Sequence, residues 1–440
     1  MKPTLHQNDR QQRADQLGLT LSEFDRLVDC ANQAHEAMKE MGPFYGKEHI
    51  KEPTFRMTAE PVVLPTGSKK LLTDFGNDLW HLAKALQKIP GEYKQKLGKG
   101  LVFEVPLTWR IDAIIDKDDN IQVNEIEGID SVSALLMAEQ LAFKLQEPSE
   151  TTVAKFIGVL KKMFPQKDTT QPIVIAIVRS ALATNPFTPN ARRFIEFLHK
   201  LSNNTVDCHL YDIDELLQGV VKPNWADYTA VINEAYVSPE ELEKLGIATK
   251  DLLNAGNYNA LVNKGVFALI HTPELEQLWT KELGQERFER LKKMLIKSSF
   301  INNAKELAAA REEGKVCKVS WSNDDIIVVN RAKGIAMPDG DILESEDGRW
   351  EQLEQFMKRG DTVISQEFVE PRRISAFLRK KGISLDAVNW YNRLCVKFVC
   401  QDNPRGEKVP TVALTAAEIT LGPEVIPAGR KCAFTAAKLI

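Results

Sequence analysis

No run of apolar residues in this chain is long enough to cross a bilayer. The longest clean one, PIVIAIV at 172–178, holds seven residues, against the ~20 that a spanning helix requires. The amino end, MKPTLHQNDRQQRADQLG, has no apolar h-region, so no secretory leader is expected. Cysteine is scarce and scattered: Cys30, Cys208, Cys317, Cys395, Cys400 and Cys432, with no CxxC pair among them. That argues against a disulfide scaffold and leaves reduced, small core residues. The seven histidines fall into no HExxH or similar zinc spacing. Neither charge sign dominates, with 57 basic against 61 acidic residues and a net charge of -4, which argues against general nucleic-acid binding. There is no GxxxxGK[ST], no GxGxxG opening a helix after a strand, no GxSxG elbow, no internal repeat and no low-complexity tract. The expectation is a cytoplasmic protein with neither nucleic acid nor membrane as partner.

At 440 residues, 43% hydrophobic and 27% charged, the chain has ordinary globular composition and room for more than one domain. Up to about residue 100 it reads as mainly helical. TLSEFDRLVDCANQAHEAMKEM opens with a capping-box pattern, and SKKLLTDFGNDLWHLAKALQKI covers roughly 68–89. LVFEVPLTWRIDAIID and NIQVNEIEG read as strands, and SVSALLMAEQLAFKL as the helix after them. From 171 the pattern turns to strand–helix alternation, with PIVIAIV, TVDCHLYDI and YTAVINEAY as strands of a small parallel α/β unit. Helices return over 238–310. The last 130 residues mix strand candidates with one helix, GRWEQLEQFMKR.

Three segments carry chemistry. In RIDAIIDKDDNIQVNEIEG, charged residues stand two apart on either side of the polar turn DKDD. A hairpin centred on Asp118-Asp119 sets Asp112 opposite Glu125 and Arg110 opposite Glu127, all four on one face. Facing carboxylates repel unless a cation lies between them, and oxygen-rich clusters suit Mg²⁺ better than zinc. A solvated face with one Arg–Glu pair satisfies the same pattern. In KVCKVSWSNDDIIVVNRAKGIAMPDG, Lys318 lies on a strand and Lys333 at a turn where backbone amides could hold phosphate; a hairpin with lysines is the plainer reading. In DTVISQEFVEP, an apolar strand ends in Gln366-Glu367 followed by Phe368-Val369, an edge suited to adenine or a core strand leaving its sheet at Pro371.

Taken in order, these segments resemble the circularly permuted branch of the ATP-grasp superfamily, which includes eukaryotic-type glutathione synthetase and glutathionylspermidine synthetase-like proteins. RIDAIID followed by VNEIEG is similar to that branch's metal and substrate strands, with Glu127 where Asn is frequent. NYNALVNKGVFALI resembles the segment whose lysine contacts nucleotide phosphate, which points to Lys264. KVCKVSW resembles the strand of the second phosphate lysine, Lys318; VISQEFVEP resembles the strand that hydrogen-bonds adenine, and NRLCVKFV a later strand. The resemblance implies an α+β, ATP-grasp-like and circularly permuted fold with a helical N-terminal region and a small parallel α/β unit. It implies an ATP-dependent carboxylate–amine ligase using ATP and Mg²⁺. Asp112, Glu125 and Glu127 would be metal ligands, and Arg110 the clamp on the acceptor carboxylate. Lys264, Lys318, Lys333, Gln366, Glu367, Phe368 and Val369 would bind nucleotide. The expected division is 1–168 (N-terminal helices and metal hairpin), 169–300 (α/β unit and helices) and 301–440 (nucleotide-binding half). Partners would be small-molecule or peptide carboxylates and amines, with a homodimer as one possible assembly. An ATP-grasp kinase and a non-catalytic binding relative are the alternatives. The latter is motivated by a phosphate loop with a single glycine and by Ser322 in place of the acidic residue four positions after the strand lysine.

Overall fold

The computed structural model describes residues 7–40, 56–128, 138, 140–165, 172–180, 182, 188–235, 237–320, 327–329, 349–380, 384–404, 406, 409–423 and 433–440. The expected helix over 131–145 and Lys333 with most of its loop therefore lie outside, or largely outside, the described residues. Among those described, no helix is long and apolar enough to cross a membrane.

The architecture is mixed α+β on three sheets. The largest contains β1 (Arg56–Met57), β2 (Val62–Val63), β3 (Thr108–Ile115), β4 (Ile121–Glu127), β13 (Arg373–Lys380), β14 (Ser384–Cys400), β15 (Val412–Gly422) and β16 (Ala433–Lys438). Its strand order is β1-β16-β15-β14-β3-β4, with β13 also on β14 and β2 also on β16. A parallel sheet has the order β6-β5-β7-β8, from β5 (Ile173–Arg179), β6 (Val206–Asp212), β7 (Ala230–Glu234) and β8 (Leu252–Asn254). An antiparallel sheet has the order β11-β10-β12-β9, from β9 (Ser298–Ile301), β10 (Val316–Val319), β11 (Ile327–Val329) and β12 (Val363–Gln366).

Side-chain periodicity explains each choice. β5 is buried along nearly its whole length, as a parallel strand covered on both faces must be. The N-terminal helix Leu21–Glu40 starts where its capping box predicts: Thr20 Oγ1 accepts from the Glu23 amide and the Thr20 amide donates back to the Glu23 carboxylate. In β3 the residues Trp109, Ile111, Ala113 and Ile115 are fully buried. The first three pair directly with the β14 residues Phe398, Val396 and Leu394 in turn, and this apolar face receives the helix Ser68–Leu86. The opposite face carries the charges.

The helix–sheet contact is close enough to require glycine. A Cβ at Gly76 would fall 2.5 Å from the Phe398 ring, and Phe398 is itself fully buried. Alanine would gain about 1 kcal/mol of helix propensity, but overpacking costs about 1–3 kcal/mol. Gly76→Ala is expected to lower the melting temperature by several degrees. A variant that melts at or above the wild type would mean that the helix can slide outward freely.

Candidate active site

The site grows from the β3–β4 hairpin, and its geometry differs from the simple hairpin in two places. The Asp116 amide donates to the Asn120 carbonyl at 3.0 Å, and Asp119 takes a left-handed φ of 64°. Asp116 Oδ1 accepts from the amides of Asp118 and Asn120. The turn is thus one residue longer than a turn centred on Asp118-Asp119, and the first pairs are Ile115 with Ile121 and Ala113 with Val123. A bulge then leaves Asn124 without a cross-strand partner, and beyond it Asp112 faces Glu125 and Arg110 faces Glu127. The two departures cancel. Register at the charged residues is as the sequence implied, though its cause is not.

Arg110, Asp112, Glu125 and Glu127 share one face. The two other strands contribute Arg393, Cys395, Lys397 and Glu418 to that face, since Cys395 lies opposite Asp112, Lys397 opposite Arg110, and Glu418 opposite Cys395. Asp112 is completely buried. Its Oδ1 accepts from Arg110 Nε at 2.8 Å, and its Oδ2 accepts from Arg110 Nη2 at 3.2 Å and from Arg393 Nη2. Arg110 also pairs with Glu127. Burial would raise the Asp112 carboxyl, but the flanking Arg110 and Arg393 hold it well below the ordinary carboxylate range. Burial pushes the Glu127 carboxyl up to about 7, Arg110 opposing, with Asp112 and Glu125 reinforcing. Among the described residues, Asp112, Glu125 and Glu127 form the one acidic group whose oxygens, one from each residue, all lie within 4.8 Å of one another. Hard oxygen donors at this separation fit a small divalent cation such as Mg²⁺.

The two lysines come from distant segments and meet at β4. Lys264, just before the helix Gly265–Ile270, places Nζ 3.2 Å from Glu125 Oε1. Lys318 on β10 is buried and donates to the carbonyl of Asn124, the bulge residue, at 3.1 Å. Burial brings the Lys318 ammonium down to about 8, Glu125 opposing and Lys264 reinforcing. For Glu125, burial is outweighed by Lys264 and then Lys318, which keep its carboxyl low.

Of the four residues Gln366–Val369, only Gln366 lies on a strand. Gln366 lies opposite Val316 and therefore on the face of β10 that carries Lys318; it is buried, with Nε2 3.3 Å from Ser298 Oγ. The strand ends there. Glu367, Phe368 and Val369 were expected to continue it, but the chain departs toward Pro371 and Arg372, whose amide donates to Ile115 O. Glu367 instead pairs with Lys297 at 3.2 Å, and Phe368 is exposed.

Arg393, Lys397 and Glu418 were not among the residues singled out in the sequence. The signal for Arg393 and Lys397 was present in NRLCVKFVC, where polar or small residues alternate with Leu394, Val396 and Phe398.

No family model matches the sequence, and no curated protein matches it. Solved structures do. A structure described as a candidate gamma-glutamylcysteine synthetase from Methylobacillus flagellatus aligns at 10% identity over 85% of this chain and 88% of that one, at a TM-score of 0.39 too low to argue from. A glutathione synthetase-like effector from Globodera pallida, in its apo form, aligns at 12% identity over 95% of this chain and 97% of that one, with a TM-score of 0.57. With that structure the chain shares a fold, built on mixed and parallel sheets.

Proposed function

We propose that this chain is an ATP-dependent ligase of the ATP-grasp type that joins a carboxylate to an amine. The observation that carries the reading is the meeting of Lys264 and Lys318, from separate segments, on the hairpin that holds Asp112, Glu125 and Glu127. Two cations beside three carboxylates suit a nucleotide polyphosphate and its metal. The order of these segments along the chain, metal hairpin ahead of phosphate lysines, is that of the circularly permuted branch.

A carboxylate is a poor acyl donor because an oxide would have to leave. Moving the γ-phosphoryl group of ATP onto it gives an acyl phosphate, and attack by an amine then expels phosphate and forms the amide. Such a site works by positioning and charge neutralisation. Lys264 and Lys318 would neutralise non-bridging phosphate oxygens. Arg110, its guanidinium plane fixed by Asp112, would orient the acceptor carboxylate through charge-assisted bonds. Asp112, Glu125 and Glu127 would hold Mg²⁺, Asp112 sharing its carboxylate with the two arginines. The ion would supply charge stabilisation on the phosphates when bound. Gln366 would border the base from the Lys318 sheet. Glu367, Phe368 and Val369, which follow it in the chain, and Lys333, outside the described residues, are proposed as nucleotide contacts from the resemblance alone.

Mg-ATP is expected to raise the melting temperature, more than ATP with EDTA. Occupancy at a hundredfold over Kd stabilises the native state by about 2.7 kcal/mol. No shift at millimolar Mg-ATP would remove the nucleotide reading. Products decide the rest. With pooled amino acids, small peptides and polyamines, a ligase releases phosphate only when acceptor and amine are both present. Phosphate left on the acceptor would mean a kinase, and nucleotide binding without turnover a non-catalytic relative.

A further inference from the structure

Between the parallel sheet and Lys264 the chain runs through short single turns, not a long helix or strand. Three buried asparagines stitch it down by one device. Asn254 Oδ1 accepts from the Gly256 amide while its Nδ2 donates to Gly128 O, at the end of the metal hairpin. Asn259 accepts from Leu261 and donates to Glu104 O at 2.8 Å. Asn263 accepts from Gly265 at 2.8 Å and donates to Leu97 O, the last carbonyl of the helix Gly91–Leu97, at 2.7 Å. Each amide closes a local turn with its oxygen and reaches a remote carbonyl with its nitrogen. Of the common side chains, only asparagine does both at this length.

Asn263 differs from the others in its neighbour. It precedes Lys264, whose own amide donates to Ser320 O at 3.0 Å, two residues beyond Lys318. The fit around it is tight: a Cβ on Gly265 would fall 2.8 Å from Leu97 Cδ2 and 2.9 Å from Asn263 Oδ1. Lys264 has four side-chain torsions between backbone and ammonium, so its reach to Glu125 depends on where its backbone is held. We propose that Asn263 is a positioning residue for the cationic pair. By fixing the backbone of Lys264 between Leu97 and Ser320, it sets the spacing of the Lys264 and Lys318 ammonium groups over Glu125. This rests on the nucleotide reading for its function, though not for its geometry.

Asn259 supplies the control, being equally buried (2% exposed, as is Asn263) and identically bonded but five residues before the lysine. Serine can keep the local acceptor at either position and cannot reach the remote carbonyl. Asn263→Ser and Asn259→Ser should lower the melting temperature to a similar degree. Only Asn263→Ser should weaken Mg-ATP binding, by roughly tenfold, the loss expected when one charge-assisted contact of about 1.4 kcal/mol is misplaced. Amide exchange in the nucleotide-free protein gives a second readout: protection at Lys264 should fall in Asn263→Ser and persist in Asn259→Ser. Equal nucleotide affinity in the two variants, with wild-type binding intact, overturns the proposal. If the wild type binds no nucleotide, the function fails and amide exchange alone judges the geometry; equal protection at Lys264 in both variants then overturns it. Should Asn263→Ser not fold, Asn263→Asp, which keeps the turn acceptor, replaces it. Unfolding of both beside a folded Asn259→Ser also overturns the proposal, since Asn263 would then serve stability alone.

Discussion

Asp112→Asn is expected to cost about 3–5 kcal/mol of folding stability, the usual loss when one partner of a buried ion pair is removed. The carboxylate is completely buried between Arg110, which is only 9% exposed, and Arg393, which is 26% exposed. Burial works against the charge on both guanidiniums, and Asp112 outweighs it and keeps them protonated. An amide of the same shape offers one acceptor oxygen and turns its NH₂ toward a cation. Two half-compensated positive charges would then share one sheet face. Because the native carboxyl titrates below its unfolded value, its contribution is fully present above the unfolded pKa of about 3.9 and is lost as pH falls below it. The stability gap between wild type and Asp112→Asn, read from urea unfolding, should therefore narrow between pH 7 and about pH 3. Replacing Arg393 by Met in the variant should recover part of the loss, since one orphaned charge leaves with it. A gap under 1 kcal/mol at pH 7, or one unchanged in acid, would mean that water and not Asp112 satisfies the arginines.

That ion triad marks the limit of what the sequence reveals. Arg110, Asp112, Glu125 and Glu127 were legible because their two strands are joined by a short turn and period-two alternation assigns them a face. The parallel sheet was legible because strands buried on both sides read as short apolar runs. Lys264 was found through resemblance alone and Lys318 first as a strand lysine; nothing in the spacing of NKG or VCKV sends either side chain to Glu125. Arg393 could not be given a partner, because β14 meets β3 by a register that no local pattern encodes. The same holds for Lys397 and Glu418. The end of β12 at Gln366 follows from Pro371 and Arg372 drawing the chain toward Ile115, a contact between separate sheets. What is decided within about ten residues was readable, and what is decided between sheets was not.

Deleting Asn124 is expected to leave the fold of the large sheet in place and to weaken any Mg-ATP binding. With Asn124 gone, the pairing that begins at Ile115–Ile121 and includes Ala113–Val123 runs on without a bulge, Glu125 still facing Asp112, Ile126 still facing Ile111 and Glu127 still facing Arg110. The sequence itself carries the mark of this bulge. Apolar residues in β4 fall at Ile121, Val123 and then Ile126, a step of three where strict alternation requires two. The deletion restores that alternation, so neither glutamate leaves its face. What it removes is the carbonyl that receives Lys318. Lys318 is buried, and a buried donor that loses its acceptor costs about 1–3 kcal/mol. The deletion variant should therefore keep its near-UV circular dichroism, melt at a lower temperature and bind Mg-ATP about tenfold more weakly. Asn124→Ala keeps the residue count, and with it the backbone carbonyl that receives Lys318, so it should retain the fold and any Mg-ATP binding. A deletion variant that binds Mg-ATP as tightly as the wild type would mean that the bulge has no part in placing Lys318.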